Sequence, residues 1–153
     1  MRRQRSRSGS YLAETAATVA FAVPLAFYAI FVAMEACQVY GINQALQQAA
    51  RAAARNLATI HSINPGIVSN SADQVKYGFL PVVADASKGA LAGTIGSTNQ
   101  FTASFDTSTT PGSVTVTVNY ASGQYGLAEF PQTDPLFLGK NYKMVQTSTY
   151  RLE

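Results

Sequence analysis

Few side chains in this sequence of 153 residues are of types that do chemistry, and their spacing does not gather them. There is one histidine, His61, and one cysteine, Cys37. A metal centre or a nucleophile–imidazole relay needs several such groups converging, so neither has much to build on. The carboxylates Asp73, Asp85, Asp106, Glu129 and Asp134 show none of the paired spacing that acid–base work uses. The glycine-rich stretch KGALAGTIGS (88–97) lacks the Gly-Lys-Ser/Thr ending of a phosphate loop and reads as a turn or small-residue packing. The sequence predicts no enzyme, no cofactor and no metal. Cys37 allows no intrachain disulfide and reads as a small apolar contact, with acylation or intermolecular pairing as its alternatives.

One carboxylate stands apart. In RSRSGSYLAETAATVAFAVPLAFYAIFVAM (5–34) an arginine-rich lead meets a long apolar run, and Glu14 sits almost inside that run. A carboxylate near hydrocarbon is costly unless something pairs with it. The simplest account puts Glu14 in the headgroup layer near a helix start, where the helix dipole favours an anion.

The elements that position Glu14 follow from composition. Charged residues are only 12% of the chain, and the formal charge of +3 is exceeded by Arg2, Arg3, Arg5 and Arg7 alone. The rest is close to neutral, without the basic face of a nucleic-acid binder. From Thr15 to Met34 no residue carries a formal charge. Such a helix rises about 30 Å, enough to cross the hydrocarbon core of a bilayer. With the arginines on one side and Glu35 but no nearby Lys or Arg on the other, the expected topology is N-terminus cytoplasmic and C-terminus outside. A cleaved secretory or lipoprotein signal fits poorly at Ala33–Cys37, and a bare anchor remains open. Pro24 removes one helix hydrogen bond and reads as a kink, or as a point that unwinds when subunits pack.

The helix is expected to continue to about His61. Ile42, Leu46, Ala49, Ala53, Leu57 and Ile60 form one apolar face, and Asn64-Pro65-Gly66 supplies the stop. A small-residue face including Ala45, Ala49, Ala52 and Ala53 would admit another helix closely, or would support the chain's own domain. Beyond it, FTASFD (101–106) and SVTVTVNY (113–120) alternate around TSTTPG as a hairpin, and 141–153 alternates as a final strand. A short helix is expected around Ala72 to Ala86, with Pro81 against it. Leu127, Phe130, Leu136, Phe137 and Leu138 either cap the sheet or form a contact surface. The fold class is therefore α+β: a long N-terminal helix, half transmembrane (about 12–36) and half amphipathic, packed by a small antiparallel β-sheet domain. The divisions are a basic leader 1–9, the long helix 10–64 and an exported β-rich domain 65–153.

Two passages carry a family resemblance. Gly9 closes the basic leader and Glu14 is the fifth residue after it, which resembles the leader of type IV pilins. INQALQQAARAAARNLA (42–58) resembles the tract after the membrane segment in TadE-like proteins, the minor pseudopilins of tight-adherence pili. Thr15 departs from the aromatic residue usual there. The resemblance implies a pilin-like fold and cleavage between Gly9 and Ser10 by a prepilin peptidase. Glu14 would then meet the new Ser10 ammonium of a sister chain, a pairing that sets register more than stability. It further implies other pilin or pseudopilin subunits, the pilus assembly machinery and the lipid bilayer as partners, helix packing involving Pro24, Ala45, Ala49 and Ala53, and a place in a bacterial cytoplasmic membrane or an extracellular filament. No nucleic-acid partner is expected. The alternative is a permanently anchored envelope protein whose β domain binds a partner; a membrane-tethered enzyme is a third reading.

Overall fold

The computed structural model describes residues 5–86, 93–130, 134–139 and 141–152, with side chains from Tyr11 onward. The helix α1 spans Arg5–Ile63, 59 residues, or about 88 Å at 1.5 Å per residue. Strong helix formers fill it, and Pro24 lies inside without ending it. It gives way at Asn64, whose side chain accepts from the N–H of Gly66 at 3.1 Å and caps the 3-10 turn Pro65–Val68.

A helical stretch follows as α2 (Ser71–Asp73), a π-helical segment Gln74–Phe79 and α3 (Leu80–Ala86). The expected helix around Ala72 to Ala86 is thus present, with a widened turn directly before Pro81. Proline has no N–H and its ring collides with the carbonyl four residues back, so a wider turn relieves both problems. Gly78 lies in that turn because a Cβ there would stand 2.5 Å from Cδ2 of the buried Leu57.

Strands β1 (Phe101–Asp106), β2 (Ser113–Ala121) and β3 (Lys143–Arg151) form an antiparallel sheet in the order β1-β2-β3. Phe101 pairs with Val118, and Val116 with Ser148. Strict alternation turns Val114, Val116, Val118 and Tyr120 inward against α1, while Thr115 and Thr117 face out. There their hydroxyls bond across to Thr149 (2.9 Å) and Thr147 (3.3 Å).

The core lies between this sheet and the second half of α1. Leu46, Ala49, Ala53 and Leu57 are fully buried, with Ile42 and Ile60 packed at the margin. Burying each Val or Leu side chain contributes about 1.5–3 kcal/mol, and β2 alone supplies three such valines. Phe79 stacks on Phe101 at 5.2 Å and joins the helical stretch to the sheet. A buried amide lies beside this contact, at the start of β1. Gln100 Nε2 donates to the carbonyls of Thr94 (3.0 Å) and Asn119 (3.1 Å), and its Oε1 accepts from Gly96 N (2.7 Å) and Ser97 N (3.0 Å). The α+β architecture of one long helix and a three-stranded antiparallel sheet is present.

Candidate functional site

The N-terminal half of α1 stands clear of the domain. Every residue from Tyr11 to Phe31 is exposed, with Phe21 at 82% and Leu12 and Leu25 at 69%. This half is long and apolar enough to cross a membrane. Among the described residues only the 134–139 loop touches it, at Tyr28, and an apolar surface of this extent marks a place for lipid or another protein surface.

Glu14 lies near the start of that surface and is exposed. Its backbone carbonyl accepts from the Thr18 hydroxyl at 2.9 Å, and Thr15 bonds back to Tyr11 in the same way at 2.6 Å. These i−4 bonds satisfy both hydroxyls within the helix. The backbones of Gly9 and Ser10 belong to α1. The Ser10 side chain and residues 1–4 lie outside the described residues. Pro24 sits mid-way along the exposed half.

Ala45, Ala49 and Ala53 lie elsewhere. All three are buried, at 5%, 0% and 0%, under the chain's own domain, whereas Ala52 is exposed. In this arrangement the small-residue face supports the sheet and offers no approach to a second helix at these positions.

Between the two halves of α1 the 134–139 loop grips the helix. The Glu35 side chain is only 3% exposed, and its Oε2 accepts from the backbone N–H of Leu136 at 2.9 Å. Its Oε1 is buried with no hydrogen-bond partner among the described residues. Two helical turns earlier on the same side, the Tyr28 hydroxyl donates to the carbonyl of Pro135 at 3.2 Å. The Asp134 carboxylate accepts from Leu138 N (2.6 Å) and Gly139 N (2.9 Å), folding the loop on itself. Phe137 has φ +56° and is 87% exposed. The apolar residues of the 121–140 connection therefore divide. Leu127 is buried in the core and Phe130 packs edge-on to Tyr142 at 5.9 Å, whereas Leu136 and Phe137 face outward. Residues 131–133 and 140 lie outside the described residues.

The remaining titratable groups are dispersed. Among the described residues no three of His, Cys, Asp and Glu come together. His61 stacks on Phe105 at 6.5 Å with its Nδ1 buried, and Cys37 is exposed. The Ser108 hydroxyl, then its N–H, holds Asp106 below the usual carboxylate value. Burial, and secondarily the neighbouring Tyr142, raises Tyr120, and burial raises Tyr142. These shifts belong to a loop and to the core. The Gly93–Ser97 part of the glycine-rich stretch forms turn and cap structure, with a Cβ at Gly96 blocked by the Tyr125 carbonyl at 2.4 Å; residues 88–92 lie outside the described residues.

Sequence reading did not single out Tyr28, Glu35 or Gln100. Glu35 carried a usable signal, as the first carboxylate after a long charge-free run. Comparison with family models, with curated proteins and with solved structures finds no match for this chain.

Proposed function

We propose that this chain is a pilin-like structural subunit of the TadE-like kind, held in a bacterial cytoplasmic membrane by the first half of α1 before assembly into a type IV or tight-adherence filament. The observation that carries this reading is the division of one continuous helix. Its second half is buried in its own domain, while its first half offers an apolar surface that, among the described residues, only the 134–139 loop touches. Apolar area is worth about 25 cal/mol per Å2, so a helix leaving lipid must exchange it for sister helices. The role is structural and not catalytic; the motor and the prepilin peptidase are other proteins.

In this reading the chain is cut between Gly9 and Ser10, and the exposed Glu14 receives the Ser10 ammonium of a neighbour. The pair forms at one helix stagger only and so fixes register. A Glu14→Ala variant tests it: cleavage proceeds as in the parent chain, while recovery in sheared filaments falls severalfold. Incorporation equal to the parent would contradict the pairing.

A second reading, a permanently anchored envelope protein, is favoured by the loop on α1. Pro135 and Leu136 cover the side of the helix that bears Tyr28 and Glu35, a surface a sister helix would otherwise use.

A further inference from the structure

The 134–139 loop bonds its backbone N–H groups from Leu136 to Gly139 within the protein. Pro135 has no N–H to satisfy, and each of the next four residues has its N–H bonded within the protein. Leu136 N donates to Glu35, Phe137 N to the Asp134 carbonyl at 3.2 Å, and Leu138 N and Gly139 N to the Asp134 carboxylate. Aqueous loops make such Asx turns as well, as Asp106 does with Ser108 N–H, although water would serve a free amide there. A loop beside hydrocarbon needs them, because an unsatisfied amide there is costly. The loop nevertheless exposes Phe137 at 87% and Leu136 at 39%. Phe137 does so from a left-handed backbone conformation that a non-glycine residue rarely adopts.

The level of this loop along α1 follows from Tyr28 and Glu14. From Glu14 to Tyr28 the helix rises about 21 Å, against a hydrocarbon thickness of about 30 Å. With Glu14 at the inner boundary, Tyr28 lies about 9 Å short of the outer one, and Glu35 lies just beyond it. Helix tilt only deepens Tyr28. Raising Tyr28 to the outer boundary would drag the Glu14 carboxylate an equal distance into hydrocarbon. The Pro135 carbonyl bonded to Tyr28 is therefore held at the level of the outer leaflet, continuous with the apolar surface of the helix.

We infer that the 134–139 loop is a second membrane contact, seating Phe137 and Leu136 among the acyl chains at the outer face of the bilayer. It fixes how deeply α1 sits and how the β domain stands on the membrane. Glu35 takes the headgroup level and keeps the loop against the helix. This inference rests on the membrane-held reading above.

The sequence has no tryptophan, so single-tryptophan variants report depth directly. Phe137→Trp and, separately, Phe21→Trp in the full chain are reconstituted in phosphatidylethanolamine–phosphatidylglycerol vesicles containing phosphatidylcholine brominated high or low on its acyl chains. The expected result for Phe137→Trp is a blue-shifted maximum, loss of emission with the shallow bromolipid and protection from aqueous iodide. Phe21→Trp should lose emission to the bromolipids and resist iodide. If Phe21→Trp is quenched by lipid but Phe137→Trp only by iodide, the loop inference is overturned and the membrane reading stands. A Phe137→Trp shielded from both quenchers sits against another copy of the chain, which also overturns it. A Phe21→Trp that no bromolipid quenches overturns the membrane reading and the inference together.

Discussion

Glu35 and Leu136 stand 101 positions apart, yet the N–H of Leu136 donates to Glu35 Oε2 across 2.9 Å. This bond ties the connection before the last strand to α1 at the junction of its two halves, with the carboxylate almost wholly buried. A buried amide left without its acceptor costs about 1–3 kcal/mol.

Glu35→Ala should therefore loosen the loop while leaving the sheet intact. Amide hydrogen exchange at Leu136 should accelerate about 5- to 150-fold, the equivalent of that energy. Glu35→Gln retains an acceptor oxygen and should exchange at a rate closer to the parent. An unchanged Leu136 rate in Glu35→Ala would show that the bond does not hold the loop.

Gln100→Ala should destabilise the domain by about 2–4 kcal/mol, since it leaves two half-buried amides and two carbonyls without their partner at once. Chemical unfolding of the detergent-solubilised chain, followed by circular dichroism, measures this. A loss under about 0.5 kcal/mol, the range of an ordinary surface substitution, would mean that the amide network contributes little.

The alkaline side should reveal Tyr120. Burial first, and Tyr142 second, raise its pKa, so the folded chain keeps the phenol proton more firmly than the unfolded chain does. The unfolded chain releases that proton near about pH 10, and from there each rise in pH favours unfolding. Thermal stability should be level below that range and fall above it. Tyr120→Phe should reduce the fall without abolishing it, because Tyr142 is raised as well. An equal fall in the variant would assign the effect elsewhere.

What the sequence made legible was periodic. The three- and four-residue steps of Leu46, Ala49, Ala53 and Leu57 mark the buried face of α1, and the alternation of Val114, Val116 and Val118 marks the inner face of β2. Local patterns of this kind dictate local structure wherever one face must leave water. The grip on α1 was not legible, because Tyr28–Pro135 and Glu35–Leu136 join positions more than a hundred residues apart and no period links them. Gln100 was hidden in part for a related reason: three of its partners lie within six residues of it in one loop, but Asn119 on β2 reaches it only in the fold. The alanines 45, 49 and 53 were legible as a packing face but not as to what covers it. A small-residue stripe suits a sheet as well as a sister helix, and here the sheet takes it.

In the proposed reading the chain is trimmed at Gly9 and joined to its neighbours through Glu14. The intact mass of the native protein, taken from membranes and from sheared filaments, tests it most directly. A mature chain beginning at Ser10 is expected in both fractions. A native protein that keeps Arg2 to Arg7, and is found in membranes alone, would contradict it.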